Sequence, residues 1–168
     1  MRTMLLPTYR LTAFIIFAVS LASIIAALIM QHRFEMEPCP LCITQRLFVI
    51  GAGAMAFIAF LHNPLLLIFK RVYALAGLLL SLVGGGVSAR HVWLQSLPED
   101  QAPACGPGLE YMFDTFPLME ALTLLFKGDG NCADVVWSFL GLSIPGWTFV
   151  LFSLFSLGFI MQMTRKET

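Results

Sequence analysis

Four cysteines carry the reactive chemistry of this 168-residue chain, and their spacing sorts them into two pairs. Cys39 and Cys42 bracket the tetrapeptide Cys39-Pro40-Leu41-Cys42. Cys105 and Cys132 stand far apart, flanked by turn formers: Pro103, Gly106 and Pro107 around the first, Gly128, Asp129, Gly130 and Asn131 before the second. A single free cysteine is ordinarily a small buried hydrophobe, yet none of these four falls in the middle of an apolar run. A C-x-x-C ring is so short that it favours a redox-labile bond over a structural one, and a thiol at a helix N-terminus is biased toward thiolate. Cys42 occupies such a start. Arg46, four residues on, shares its helical face one turn deeper, and a cation there favours the thiolate further. Arg46 has a plainer reading as a snorkelling interfacial arginine, but a charge beside a reactive thiol in a membrane segment is by default a functional residue. His91 ends the third apolar run, where it can hydrogen-bond a bound head group, hold a proton, or simply sit at the interface. For Cys105 and Cys132 a structural staple competes with a second redox pair; closing a loop of about 26 residues stabilises by about 3 to 4 kcal/mol in the chain-entropy model.

Other uses of cysteine fit less well. Ile43 follows Cys42, so there is no C-x-x-C-H haem attachment, and the second pair is too widely spaced for a usual zinc knuckle, which leaves metal binding a minor alternative and assigns no metal ligand. The sequence also lacks a Walker loop, a dinucleotide fingerprint and a serine-hydrolase elbow. Electrons taken from thiols must therefore leave through something dissolved in or bound at a membrane, a requirement that a quinone meets.

The elements that must position these residues are apolar helices. The chain is 58% hydrophobic and 12% charged with a mean hydropathy of +0.83, far more apolar than one soluble core requires. A formal net charge of zero gives no reason to expect nucleic acid as a partner. Four stretches, about 11–30, 43–61, 72–89 and 146–163, are long enough to cross a hydrocarbon core, and backbone groups in lipid must pair internally, which makes them helices. The first is longer than a signal-peptide apolar region and is read as an anchor. Arg2 and Arg10, Lys70 and Arg71, and Arg165 and Lys166 place both termini and the middle loop in the cytoplasm. The expected organisation is one integral membrane domain over 1–168, with outer loops at about 31–42 and 90–145 that hold all four cysteines. Within the longer loop, Leu109 to Phe126 is expected to form a short amphipathic helix on the membrane surface, opened by Pro117, or else an ordinary loop folded over the bundle. Gly84-Gly85-Gly86, Gly51, Gly53 and Ala54 let helices approach closely.

In combination, several of these residues resemble the DsbB-type disulfide bond formation proteins, over most of the chain. The motifs are Gln31-His32 ahead of Glu37-Pro38-Cys39-Pro40-Leu41-Cys42; Arg46; His91 with Leu94-Gln95; and Gly130-Asn131-Cys132-Ala133 leading to Trp137-Ser138-Phe139-Leu140-Gly141-Leu142 and Pro145-Gly146-Trp147. The resemblance implies an all-α bundle of four transmembrane helices in the bacterial inner membrane, with its redox loops periplasmic. It implies that Cys105 and Cys132 oxidise the C-x-x-C of a soluble, thioredoxin-fold partner of the DsbA kind. Cys39 and Cys42 then reoxidise that loop pair and pass two electrons to ubiquinone or menaquinone, and so to the respiratory chain. By the same resemblance Cys42 is the thiolate beside the quinone ring, Arg46 supports quinone binding and electron transfer, and His91 belongs to the quinone site. Pro40 differs from forms with another residue there, a difference that bears on the redox poise of the pair.

Two rivals remain. Enzymes of the vitamin K epoxide reductase type are also similar as quinone-linked thiol bundles, but there the loop pair precedes the C-x-x-C, whereas here Cys39 and Cys42 come first. A non-enzymatic membrane subunit with structural disulfides would show no quinone dependence.

Overall fold

The computed structural model describes residues 8–64, 66–98 and 130–164, together with 101, 117, 119, 123, 126 and 128. Four long helices dominate it: α1 (Tyr9–Arg33), α2 (Pro40–His62), α3 (Leu67–Gln95) and α4 (Ile144–Thr164). All four are long and apolar enough to cross a membrane. Each contains one of the apolar stretches read from the sequence and runs past it at both ends. Their boundaries follow local chemistry. Thr8 caps α1 by accepting the Leu11 amide, and Pro40 takes the first position of α2, where its missing N–H costs nothing. Asn63 ends α2 in the left-handed region at φ 38°, a conformation that asparagine tolerates better than most residues.

Consecutive helices are antiparallel and arranged in a ring, α3 packing most extensively on α4 and α2, α2 on α1, and α4 closing back onto α1. The centre is formed by Ile16, Val49, Ala52, Ala56, Phe152, Phe155 and Phe159. Close approach depends on glycine at two levels of the α3–α4 seam, where Phe159 lies on Gly77 and Phe152 on Gly84 so tightly that a Cβ at either position would overlap the ring. Across α1 and α2, Ser20 Oγ donates to the Val49 carbonyl (2.7 Å) beside Gly53, and Gln162 Nε2 ties α4 to the Tyr9 carbonyl (3.3 Å). The outward faces carry large exposed apolar side chains, among them Leu21, Ile25, Leu79, Leu82, Leu154 and Leu157, as lipid contact requires.

One end of the bundle bears Arg10, Lys70 and Arg71, with Lys70 Nζ 5.6 Å from the Tyr9 ring centroid and Arg10 over Phe60 at 4.7 Å. The opposite end carries the described cysteines and is crossed by the segment that precedes α4. That segment holds a single 3-10 turn, Gly130–Cys132, and a two-stranded antiparallel hairpin, β1 (Ser138–Phe139) and β2 (Leu142–Ser143). Leu140 (φ 53°) and Gly141 (φ 78°) both have positive φ, the signature of a type I′ turn. Nothing in the sequence reading anticipated this hairpin. Trp147 Nε1 donates to the Phe139 carbonyl (3.1 Å), and the Trp137 and Phe139 rings stack at 5.9 Å. The amphipathic helix expected over 109–126 lies almost wholly outside the described residues, as does Cys105.

Candidate functional site

The site is built where the N-terminus of α2 meets the C-terminal end of α3 and the segment around Cys132. Cys39 is the N-cap residue of α2, its carbonyl accepting the Ile43 amide at 3.2 Å, and Cys42 falls in the first turn. Both are partly buried and stand as thiols, close enough for the Cys39 S–H to hydrogen-bond to the Cys42 sulfur. Arg46, one turn further along, interacts electrostatically with Cys42. The spacing of four therefore puts cation and thiol on one face, as expected.

Three successive residues of α2 point in different directions, since each step turns the helix by about 100°. Thr44 donates back to the Pro40 carbonyl (3.1 Å). Gln45 faces α3. Arg46 faces α1, where Nη1 donates to Gln31 Oε1 (2.6 Å) and Nη2 to the Ala27 carbonyl (3.4 Å). A guanidinium has five N–H donors, so donors remain for a further acceptor.

His91 is 2% exposed and held from both sides. Gln45 Nε2 lies 3.1 Å from His91 Nδ1, and His91 Nε2 lies 3.8 Å from Cys39 Sγ. With the amide NH2 donating to Nδ1, the ring proton is carried on Nε2, on the side of the Cys39 sulfur. Gln45 is buried and was missed in the sequence reading. The signal available was its type: an uncharged polar side chain within a span, adjacent to an arginine, needs a buried partner.

Cys132 closes the cluster. It is 1% exposed and packs with Leu41, Val87 and Leu94, with Cys39, Phe48 and Leu97 alongside. The Cys39 sulfur, the Cys132 sulfur and a His91 ring nitrogen all lie within 4.8 Å of one another. The chain reaches this position through Gly128, whose φ of 75° suits glycine and whose missing Cβ leaves room for Leu41 Cδ1 and Leu94 Cδ1, which a Cβ would meet at 2.8 and 3.2 Å. Gln95, at the end of α3, anchors both flanks: its Oε1 accepts from Ser143 Oγ (2.6 Å) and its Nε2 donates to the Asp134 carbonyl (3.4 Å). Of the predicted site residues, the fold thus gathers Cys39, Cys42, Arg46, His91 and Cys132 at one end of the bundle, while Cys105 lies outside the described residues.

A ring of four membrane-length helices with a C-x-x-C at one helix start and a distant cysteine folded back onto it defines a membrane thiol protein equipped for disulfide exchange. Comparison with known proteins places it more closely. The family model of Disulfide bond formation protein DsbB matches residues 9–162. Relatives called Disulfide bond formation protein B include one from Saccharophagus degradans, 65% identical over 147 residues (88% of each chain). Another, from Nitrosococcus oceani, is 54% identical over 135 residues (80% of this chain and 79% of the relative). A third, from Acinetobacter baylyi, is 45% identical over 159 residues (95% and 93%). The chain belongs to the DsbB family of disulfide bond formation proteins, and is a multi-pass membrane oxidoreductase of disulfide formation.

Proposed function

We propose that the chain is a thiol:quinone oxidoreductase of the bacterial inner membrane, which reoxidises a periplasmic, thioredoxin-fold oxidase of the DsbA kind and delivers the electrons to the quinone pool. The observation that carries this reading is the placement of Cys132 within 4.8 Å of the Cys39 sulfur, at exchange distance from the membrane-proximal pair. A purely structural staple in the loop has no need to approach a C-x-x-C so closely.

The steps follow from disulfide exchange. A thiolate of the reduced partner attacks the Cys105–Cys132 disulfide at Cys105, and its second thiol resolves the mixed disulfide, leaving the partner oxidised and the loop pair reduced. The Cys132 thiolate then attacks the Cys39 sulfur of the Cys39–Cys42 disulfide and expels Cys42 as thiolate. Cys105 displaces Cys39 from Cys132, which restores the loop disulfide and leaves Cys39 and Cys42 as the dithiol. His91 Nε2–H supports negative charge on Cys39, while Arg46 and the helix N-terminus support it on Cys42. A bound quinone supplies the acceptor for the two electrons and two protons released when the Cys39–Cys42 disulfide re-forms. The residues present fit such a group. Arg46 retains donors for a carbonyl oxygen, and Leu28 and Leu47, neighbours in sequence of the Ala27 and Arg46 contact, are exposed on the lipid side. Direction depends on successive potentials, with about 30 mV between two-electron couples equivalent to about 1.4 kcal/mol.

Placing Arg10, Lys70 and Arg71 in the cytoplasm puts the cysteine end in the periplasm. The decisive experiment is quinone reduction by the purified chain in detergent, supplied with a reduced thioredoxin-fold dithiol and followed by absorbance. Wild type turns over, whereas Cys42→Ser and Cys105→Ser do not. Turnover surviving in Cys105→Ser would reduce the outer pair to a staple, and no turnover in wild type with any quinone would favour a structural subunit.

A further inference from the structure

We propose that Cys39, His91 and Cys132 form a zinc site that exists only when the chain is fully reduced, and that zinc bound there stalls the relay. The three ligand atoms come from three separate elements, the α2 N-cap, the end of α3 and the turn before the hairpin, so no spacing rule could reveal them. They lie within 4.8 Å of one another, with His91 Nε2 3.8 Å from Cys39 Sγ. Tetrahedral zinc, with bonds of about 2.3 Å to sulfur and about 2.0 Å to nitrogen, needs ligand separations of roughly 3.5 to 3.8 Å. One pair is already there, and closing the others requires shifts of no more than about 1.3 Å. Two thiolates and one imidazole are the donor set of a catalytic-type zinc centre with an open fourth position, and their softness discriminates against magnesium and calcium.

The surroundings match what a metal-binding histidine requires. When zinc takes the place of the Nε2 proton, the ring proton moves to Nδ1 and needs an acceptor. Gln45, now 3.1 Å from Nδ1, presents Oε1 once its amide is turned over. Binding releases two protons, Zn2+ + 2 RSH giving Zn(SR)2 + 2 H+, so the charge of the ion is neutralised within a buried cluster. The redox gate follows directly: a disulfide at either Cys39 or Cys132 removes a ligand. Zinc binding and disulfide formation therefore compete for the same sulfurs, and the metal engages the form that accumulates when the electron acceptor is scarce. The inference rests on the proposed relay only for its inhibitory consequence; the binding itself needs nothing but reduced thiols.

The test uses the full-length chain in detergent, reduced with a phosphine that does not hold zinc, then loaded with zinc and gel-filtered before metal analysis. The reduced wild type is expected to retain one zinc per chain and the oxidised protein none. Cys39→Ser and Cys132→Ser lose it, Cys42→Ser and Cys105→Ser keep it, and Gln45→Leu weakens it about ten- to a hundred-fold. Cobalt(II) in place of zinc reports thiolate coordination by its charge-transfer absorption, which diminishes in either ligand variant and so reads the site without relying on turnover. Zinc retained equally by oxidised and reduced protein, or lost in Cys42→Ser but kept in Cys132→Ser, would overturn the proposal by assigning the metal elsewhere or to the C-x-x-C alone. Absence of zinc from the reduced wild type would overturn it too. If zinc binds as expected and quinone turnover in its presence is unchanged, the stalling is wrong and the site stands.

Discussion

Gln45 is the residue on which the site's order turns, because among the described residues it is the partner of His91 Nδ1 while Nε2 faces Cys39. Replacing it with leucine takes away the donor that His91 Nδ1 meets in the described structure, at a cost of about 1 to 3 kcal/mol; thermal unfolding in detergent should show that loss. Arg46 makes a different kind of contribution. Its planar fork spans Gln31 and the Ala27 carbonyl, a geometry that lysine's single ammonium cannot reproduce. Under the proposed function, Arg46→Lys should raise the KM for quinone about tenfold or more, the loss of one charge-assisted hydrogen bond, while exchange between the reduced partner and the loop pair is unaffected in a quinone-free stopped-flow assay. At this scale the sequence was informative wherever chemistry is carried by residue type and short spacing: Cys39, Cys42 and Arg46 declare themselves over eight positions. The pairing of Gln45 with His91 spans 46 positions, and only the antiparallel packing of α2 on α3 creates it.

Helices were legible for the reason that makes them obligatory: lipid offers no hydrogen bonds, so four long apolar runs have one backbone solution. The hairpin was not. Its strands are two residues each and its turn is Leu140-Gly141, whose first member is held at φ 53° with none of the Asn or Asp that usually advertises such a turn. What fixes it is tertiary, the Trp147 indole holding the Phe139 carbonyl. Packing between elements yields a sharper test. Gly84 meets the Phe152 ring, whereas nothing lies within 4 Å of where a Cβ on Gly86 would stand. Gly84→Ala should therefore destabilise by about 1 to 3 kcal/mol through overpacking. Gly86→Ala should be neutral or slightly stabilising, since alanine favours helix; equal melting temperatures for the two variants would contradict the seam described. Gly128 operates similarly on the loop. Its replacement by alanine combines a left-handed backbone with contact against Leu41 and Leu94, and Cys132, now 1% exposed, should become markedly more reactive to maleimide in the reduced protein.

For the whole molecule, the two ends of the ring differ in character: Arg10, Lys70 and Arg71 at one, thiols, a tightly held imidazole and Arg46 at the other. The proposed orientation predicts that a membrane-impermeant maleimide applied to spheroplasts labels reduced Cys39 or Cys42 and leaves a cysteine introduced at Asn63 unlabelled until the membrane is broken; the reverse pattern would invert the topology. The lengths of the helices add a dimension to this picture. At about 1.5 Å per residue, the 29 residues of α3 extend about 43 Å, against a hydrocarbon slab of about 30 Å. The surplus means that α3 either tilts within the slab or protrudes from it, with His91 and Gln95 in its final turns. The depth of the thiols is consequently a property of the host membrane as much as of the chain. A thinner bilayer leaves the cluster standing in water, and a thicker one draws it down among the acyl chains. Under the proposed function, the rate of electron delivery should therefore change with membrane thickness, and reconstitution into lipids of graded chain length would trace it.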